Sequence, residues 1–255
     1  MSIDFGKTAT DYATHRAGFP PELLDRLEVF GIGGVGQRVL DLGTGTGTLA
    51  RQFAQRGATV TGIDPAAAML AQGRGLDAAA GVSVDYVVGR AEATTLPDAT
   101  FDAVTAGQCW HWFDRTAAAN EVYRVLVPGG MVAIAHFDWL PLPGSVVAAT
   151  EELILKYNPA WALAGGKGTY PDWFADLTGA GFASLESFSF DLAVPYSHAA
   201  WRGRIRASAG IAASLPPDQV AAFDAAHGDM LADLFLGDPL HAPHRVWALV
   251  ARKPD

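Results

Sequence analysis

At 255 residues and 50% hydrophobic content, the chain can bury one sizeable core, and a single domain spanning 1–255 with a cap is the expected organisation. A formal net charge of −9, with 18 lysines and arginines scattered along the chain, argues against a nucleic-acid partner, which needs concentrated cations. One cysteine, Cys109, precludes an intrachain disulfide and reads as a buried small hydrophobe; with no basic and apolar leader and no run of membrane-spanning length, no membrane partner and a cytoplasmic location are expected.

The predicted elements begin with a helical lead-in over about residues 1–34, carrying Phe5, Tyr12, Phe19, Leu23, Leu24, Leu27 and Phe30 and broken at Pro20-Pro21. Residues 38–42 form an apolar run with an acid in it, suited to a buried parallel strand, and residues 47–56 have helical spacing. Between them lies Gly43-Thr44-Gly45-Thr46-Gly47. A glycine-rich strand-to-helix turn allows positive φ and close approach of a ligand, and the first helical amides offer it donors. Such a turn binds nucleotides or nucleoside-like cofactors, or is simply a tight turn.

A second strand is expected at 59–63, with Asp64 at its carboxyl end, about twenty residues beyond the loop, where an acid grips ribose hydroxyls. Asp64 equally suits a helix N-cap, with Pro65 at the first helical position and a helix over 65–72. Strands near 82–88, 101–106 and 130–136 and a helix near 114–126 complete an alternation that means a parallel sheet. Residues 138–144, rich in proline, break the rhythm. An inserted helix and glycine-rich loop fill 144–170, and a helix at 171–180, a strand at 185–194, helices at 197–209 and 216–235, and a last strand at 245–252 follow. Cap elements are expected at about 138–170 and 195–240. A dinucleotide dehydrogenase would need a second mononucleotide half, and the βαβ rhythm ends near residue 138.

The chain resembles the class I S-adenosylmethionine (SAM)-dependent methyltransferases, through Leu40-Asp41-Leu42-Gly43-Thr44-Gly45-Thr46-Gly47 and Gly62-Ile63-Asp64. Gly89-Arg90-Ala91-Glu92, Leu96-Pro97-Asp98, Phe101-Asp102-Ala103-Val104 and Arg124 to Gly130 follow in order and make it similar to the type 11, or UbiE-like, small-molecule group. His111-Trp112-Phe113-Asp114 resembles a subset that includes trans-aconitate methyltransferase-like proteins. The likeness covers about residues 5–136 well. It implies a doubly wound Rossmann-like α/β fold of seven strands in the order 3-2-1-4-5-7-6, the last strand antiparallel, with a helical cap insertion. It also implies SAM as cofactor, S-adenosylhomocysteine as product and a small-molecule acceptor. The alternative is a SAM-binding protein with a regulatory role or other SAM chemistry.

The resemblance also assigns roles. Asp41 orients the loop, Gly43, Thr44, Gly45 and Gly47 lie under the methionine part, and Asp64 holds the ribose with Pro65 and Met69 beside it. Tyr12 and Arg16 reach over the SAM carboxylate, or form a solvated helix face. Many relatives carry an aspartate where this chain has Arg90, and a guanidinium cannot accept from the adenine amino group. The Ala91 amide and Glu92 are the substitutes, unless Glu92 caps the loop. Gln108, at a strand's carboxyl end, faces the sulfonium. Methyl transfer is an in-line displacement that needs alignment and exclusion of water, and no metal.

His111 is the leading base candidate, ahead of His136 and His198, and its alternative is to hydrogen-bond a neighbouring loop. For the acceptor, Trp112, Trp201 and His111 are expected around an aromatic pocket, with Arg202 or Arg206 reading an anionic group. The alternative for the arginines is pairing with acidic neighbours; Arg204 points elsewhere. Asp238, His241 and His244 have spacing that suits a turn better than a metal site. The acceptor, the methylated atom and the oligomeric state are not legible.

Overall fold

Aliphatic residues buried on both faces set the centre of the sheet. In the computed structural model, which describes residues 18–255, strand β1 (Arg38–Leu42) has its last four residues buried. It lies parallel between β2 (Thr59–Asp64) and β4 (Phe101–Gly107), with Asp41 opposite Gly62 on one side and Thr105 on the other. β3 (Asp85–Val88) pairs parallel outside β2, and β5 (Leu126–Trp139) outside β4. With β6 (Ala183–Tyr196) and β7 (Leu240–Arg252) the described residues form a seven-stranded sheet ordered β3-β2-β1-β4-β5-β7-β6.

β7 is antiparallel to β5. Gly129 N–H donates to Lys253 O and Lys253 N–H to Gly130 O, at the start of one strand and the end of the other, while Leu140 N–H donates to Pro243 O at the opposite ends. The expected order and strand directions are those observed.

Helices α1 (Pro21–Val29), α2 (Thr48–Gln55), α3 (Ala67–Ala80) and α4 (Arg115–Val125) follow the alternation. α5 (Val146–Tyr157), α6 (Trp173–Gly179), α7 (His198–Arg206) and α8 (Pro217–Leu234) complete the described helices.

Several boundaries differ from expectation, for physical reasons. α3 starts at Ala67 rather than 65, because the Asp64 carboxylate turns back to accept from Ala66 N–H at 2.8 Å, which leaves Pro65 before the helix rather than at its first position. α4 runs straight into β5 at Leu126, and Gly129-Gly130 sit at a register shift inside the ladder instead of before it. β7 begins at Leu240, so His241 and His244 lie on a strand. β6 carries Pro195 and alternates exposed with half-buried residues, as suits a strand at the sheet's edge.

The described residues separate into two compact units. The first, 18–137 with 169–189 and 246–255, has a core in which Leu40, Leu42, Ile63, Val104, Ile134 and Trp110 are sealed from solvent. The second, 138–168 with 190–245, is mainly helical and packs Ile154, Trp201, Ile205, Phe223 and Leu231. No described helix is long and apolar enough to cross a membrane.

Candidate functional site

The glycine turn after β1 is held from three directions. Gly43, Gly45 and Gly47 all have positive φ, at 57°, 57° and 74°. Thr44 N–H donates to Ile63 O at 3.0 Å and Gly47 N–H to Thr44 O at 2.8 Å, closing the turn against β2. Beneath it Asp41 is buried and accepts from the Thr44 and Thr105 hydroxyls, each at 2.7 Å. Burial pushes the Asp41 carboxyl up to about 6, although both hydroxyls favour the charged form.

The three glycines have different duties. A Cβ on Gly47 would stand 1.8 Å from the Tyr86 hydroxyl, and one on Gly43 would stand 2.9 Å from Cys109 Cβ. A Cβ on Gly45 would meet only the Met69 methyl, at 3.6 Å. Gly47 is therefore a packing glycine. Among the described residues Gly45, half-exposed, is the one of the three with room for a ligand, with Met69 as its floor.

Asp64 closes the site. Its Oδ2 accepts from Gly45 N–H at 3.0 Å and its Oδ1 from Ala66 N–H at 2.8 Å, so one carboxylate ties the loop to the end of β2. Each oxygen keeps lone pairs for further donors, and the side chain remains partly exposed. A left-handed glycine that meets only the Met69 methyl among the described residues, beside a carboxylate with spare acceptor capacity, suits a ligand carrying vicinal hydroxyls. These residues fit the nucleoside cofactor that the loop implies.

A clamp that sequence reading missed sits behind the loop. Arg51 of α2 pairs with buried Asp77 of α3 at 2.6 Å and donates to Thr46 O at 3.2 and 3.3 Å. The only signal available was an arginine four residues past the last glycine, and nothing in the sequence ties it to residue 77.

The other expected site residues have partners of their own. Glu92 accepts from Asp114 N–H at 3.1 Å and lies 3.3 Å from Arg90, so it caps the turn that leads into α4 and carries the alternative assigned to it. Ala91 is buried beside it. Gln108 takes positive φ, and its amide donates to the Phe137 carbonyl, which turns the side chain along β5. That hydrogen bond engages the amide nitrogen expected to face the ligand. Cys109 is buried and its thiol donates to Leu42 O.

His111 and Trp112 lie in a short 3-10 turn beyond β4 and are exposed, Trp112 at 47%. The His111 ring is 5.3 Å from that of buried His136, which lies 4.4 Å from Tyr170 and 5.0 Å from Trp173. His198 instead binds Gly237 O at 3.0 Å. Asp41, the three loop glycines, Thr44, Asp64, Met69, Ala91, Glu92, Gln108, His111 and Trp112 all belong to the sheet unit.

The remaining acceptor candidates belong to the helical unit. Trp201 is fully buried and donates to the Thr150 hydroxyl at 3.1 Å, so it is core and not a pocket wall. Arg202 forks onto Asp224 at 2.6 and 3.1 Å and Arg206 reaches the same carboxylate at 2.8 Å. Acidic pairing thus takes the place of the anion reading expected of these two arginines. Tyr12 and Arg16 lie outside the described residues. Among the described residues no group of three or more His, Cys, Asp and Glu side chains could hold a metal ion.

Comparison with known proteins places residues 40–134 in the methyltransferase-domain family. An uncharacterized methyltransferase of Mycobacterium tuberculosis is 40% identical over 134 residues, 52% of each chain. The ubiquinone/menaquinone biosynthesis C-methyltransferase UbiE of Cereibacter sphaeroides is 31% identical over 186 residues, 66% of this chain and 74% of that one. The chain spans about half the length of the first curated relatives it matches. Among solved structures, Haemonchus contortus phosphoethanolamine N-methyltransferase 2, in complex with phosphomonomethylethanolamine and S-adenosylhomocysteine, has a similar fold. Its TM-score is 0.58 at 22% identity, over 97% of this chain and 57% of that one.

Proposed function

The chain belongs to the class I SAM-dependent methyltransferases of UbiE type, and from that premise we propose that it transfers a methyl group from SAM to a small organic acceptor, leaving S-adenosylhomocysteine. The observation that carries this reading is the Asp64 carboxylate, bonded to the Gly45 amide and still able to accept from a ribose. Residues 1–255 act as one methyltransferase domain in this reading, and the His111 to Asp114 run supports membership of the subset with that motif. The acidic balance of the chain supports a small acceptor over a nucleic acid.

Bound SAM supplies a methyl group on a positively charged sulfur. The protein's part is positioning. Gly45 and Gly47 keep the loop backbone in the left-handed region, Asp41 and the Arg51–Asp77 clamp hold that backbone still, and Asp64 fixes the hydroxylated end of the ligand. His111, exposed on the turn beyond β4, takes the proton where the acceptor is a hydroxyl or an ammonium, and Trp112 shields the acceptor from water.

Calorimetry with S-adenosylhomocysteine tests the cofactor site. Asp64→Ala removes a charge-assisted acceptor and should weaken binding by about 1.5–3 kcal/mol. Unchanged affinity would remove Asp64 from the site. Transfer of label from methyl-labelled SAM to a small-molecule extract tests turnover, and no labelled product would leave a binding protein without this activity.

A further inference from the structure

Within the sheet unit, two glycines make room for one hydroxyl. A Cβ on Gly47, the last glycine of the loop, would stand 1.8 Å from the Tyr86 hydroxyl, and a Cβ on Gly73 of α3 would stand 2.9 Å from the same atom. Gly73 lies inside a helix, where glycine is a poor former, and the hydroxyl is the nearest atom at both positions, so the space is kept for the hydroxyl as well as for the ring. The ring is held in place by Arg74, whose guanidinium lies over it at 5.5 Å and donates to Tyr86 O at 3.2 Å.

The Tyr86 hydroxyl is buried, and among the described residues it has no hydrogen-bond partner. Asp77 Oδ2, also buried, has none either. The two are neighbours. Asp77 follows Gly73 by four residues on the same face of α3, and burial followed by the Asp77 carboxylate pushes the phenol's pKa up. A donor and an acceptor thus stand close together out of water and unbonded, whereas buried polar groups are ordinarily satisfied.

The same carboxylate already serves the loop. Its other oxygen accepts from Arg51 at 2.6 Å, and Arg51 donates from its guanidinium to Thr46 O at 3.2 and 3.3 Å and from its backbone N–H to Gly47 O at 2.8 Å. We propose that Tyr86 is a positioning residue of the cofactor loop: its hydroxyl donates to Asp77 Oδ2 when S-adenosylhomocysteine occupies the loop, and that bond, passed through Arg51 to the Thr46 carbonyl, holds the loop in its binding form. A ligand seated on Gly45 bears on the turn whose last residue, Gly47, lies against the phenol, so a small displacement of that turn brings donor and acceptor into register. The bond between them ties ligand binding to the order of α3. This inference rests on the cofactor reading of the loop given above.

The test is calorimetric titration of the full chain with S-adenosylhomocysteine, in wild type, Tyr86→Phe, Asp77→Asn and the double variant. Tyr86→Phe should weaken binding about fivefold, the worth of one hydrogen bond, and should have no further effect once Asp77 is replaced, because both changes break the same bond. Hydrogen exchange over residues 67–80 needs only wild type and Tyr86→Phe, and serves where Asp77→Asn does not fold: saturation with S-adenosylhomocysteine should slow exchange in wild type and leave it unslowed in Tyr86→Phe. A phenol that only fills space would lower stability and leave both readouts as they are in wild type. Affinity of Tyr86→Phe within twofold of wild type, the same loss with and without Asp77, or equal slowing of exchange in the two proteins would overturn the proposal. A wild type that binds S-adenosylhomocysteine alongside any of these results loses this inference alone, whereas a wild type that does not bind it loses the methyltransferase reading and this inference with it.

Discussion

The candidate site of the sheet unit and the polar pairs of the helical unit are built from different material. In the sheet unit the site is made largely of backbone: left-handed glycines, loop amides and two carboxylates, Asp41 and Asp64, within one strand-turn-helix-strand run. In the helical unit, side chains far apart in sequence meet. Trp201 bonds to Thr150, 51 residues away, Arg245 pairs with Asp191 across 54, and Arg202 with Asp224 across 22. A site made of local backbone announces itself as a motif. A site made of distant side chains does not.

The sharpest test of that contrast lies within the loop. Gly47→Ala places a methyl 1.8 Å from the Tyr86 hydroxyl at φ +74° and should cost about 4 kcal/mol, left-handed strain and overpacking together. Gly45→Ala meets only Met69 at 3.6 Å and should cost about 1–2 kcal/mol in stability while weakening S-adenosylhomocysteine binding far more than its stability loss predicts. Chemical denaturation and calorimetry on both variants separate a folding glycine from a binding one. Equal stability losses would make the two positions equivalent.

The next effect concerns the clamp. Asp77→Ala leaves the largely covered Arg51 beside Thr46 without its acid, and removing one member of a mostly buried pair costs roughly 3 kcal/mol. If denaturation shows a loss below 1 kcal/mol, about the value of a surface pair, the clamp does not hold the loop.

These predictions also mark what was legible. The strand order came with the family resemblance, whereas the glycine turn and the position of Asp64 could be read because the motif and its spacing are local. The two duties of Gly45 and Gly47 could not, since they depend on Tyr86 from β3 and Met69 from α3. Gln108 was placed correctly at a strand end, yet its amide turns to the Phe137 carbonyl, a partner 29 residues on. The same limit hid Asp224 from the reading of Arg202 and Arg206. A helical pattern shows which arginines share a face and is silent on what that face meets.

Acid sets the units against each other. His227 and His244, in the helical unit, are lowered to about 4 by burial, against 6.5 when exposed. Between those values the unfolded chain binds more protons, so the stability they support is lost as pH falls from 6.5 towards 4, up to about 3 kcal/mol each. Glu151, in the same unit and raised by burial, works in the other direction. Asp41, in the sheet unit, is raised from 3.8 to about 6, so the folded state binds the extra proton and gains stability over nearly the same range. The net expectation is a loss of about 2 kcal/mol between pH 6.5 and 4.5. Hydrogen exchange at those two pH values should show the helical unit opening first. Uniform opening would mean that one cooperative transition governs both units.

The smallest expected effect tests pairing inside the helical unit. Asp224 serves two guanidinium groups at once, and both arginines are about a third exposed, so either pair alone is close to a surface pair. Arg202→Gln and Arg206→Gln should each cost less than about 1 kcal/mol, because the remaining arginine still faces the carboxylate. The double variant removes both partners from an acid that is largely covered, and its cost should exceed the sum of the singles by about 0.5–1.5 kcal/mol. Denaturation of the four proteins in a double-mutant cycle reads that excess directly. An additive result would mean that Asp224 does not couple the arginines.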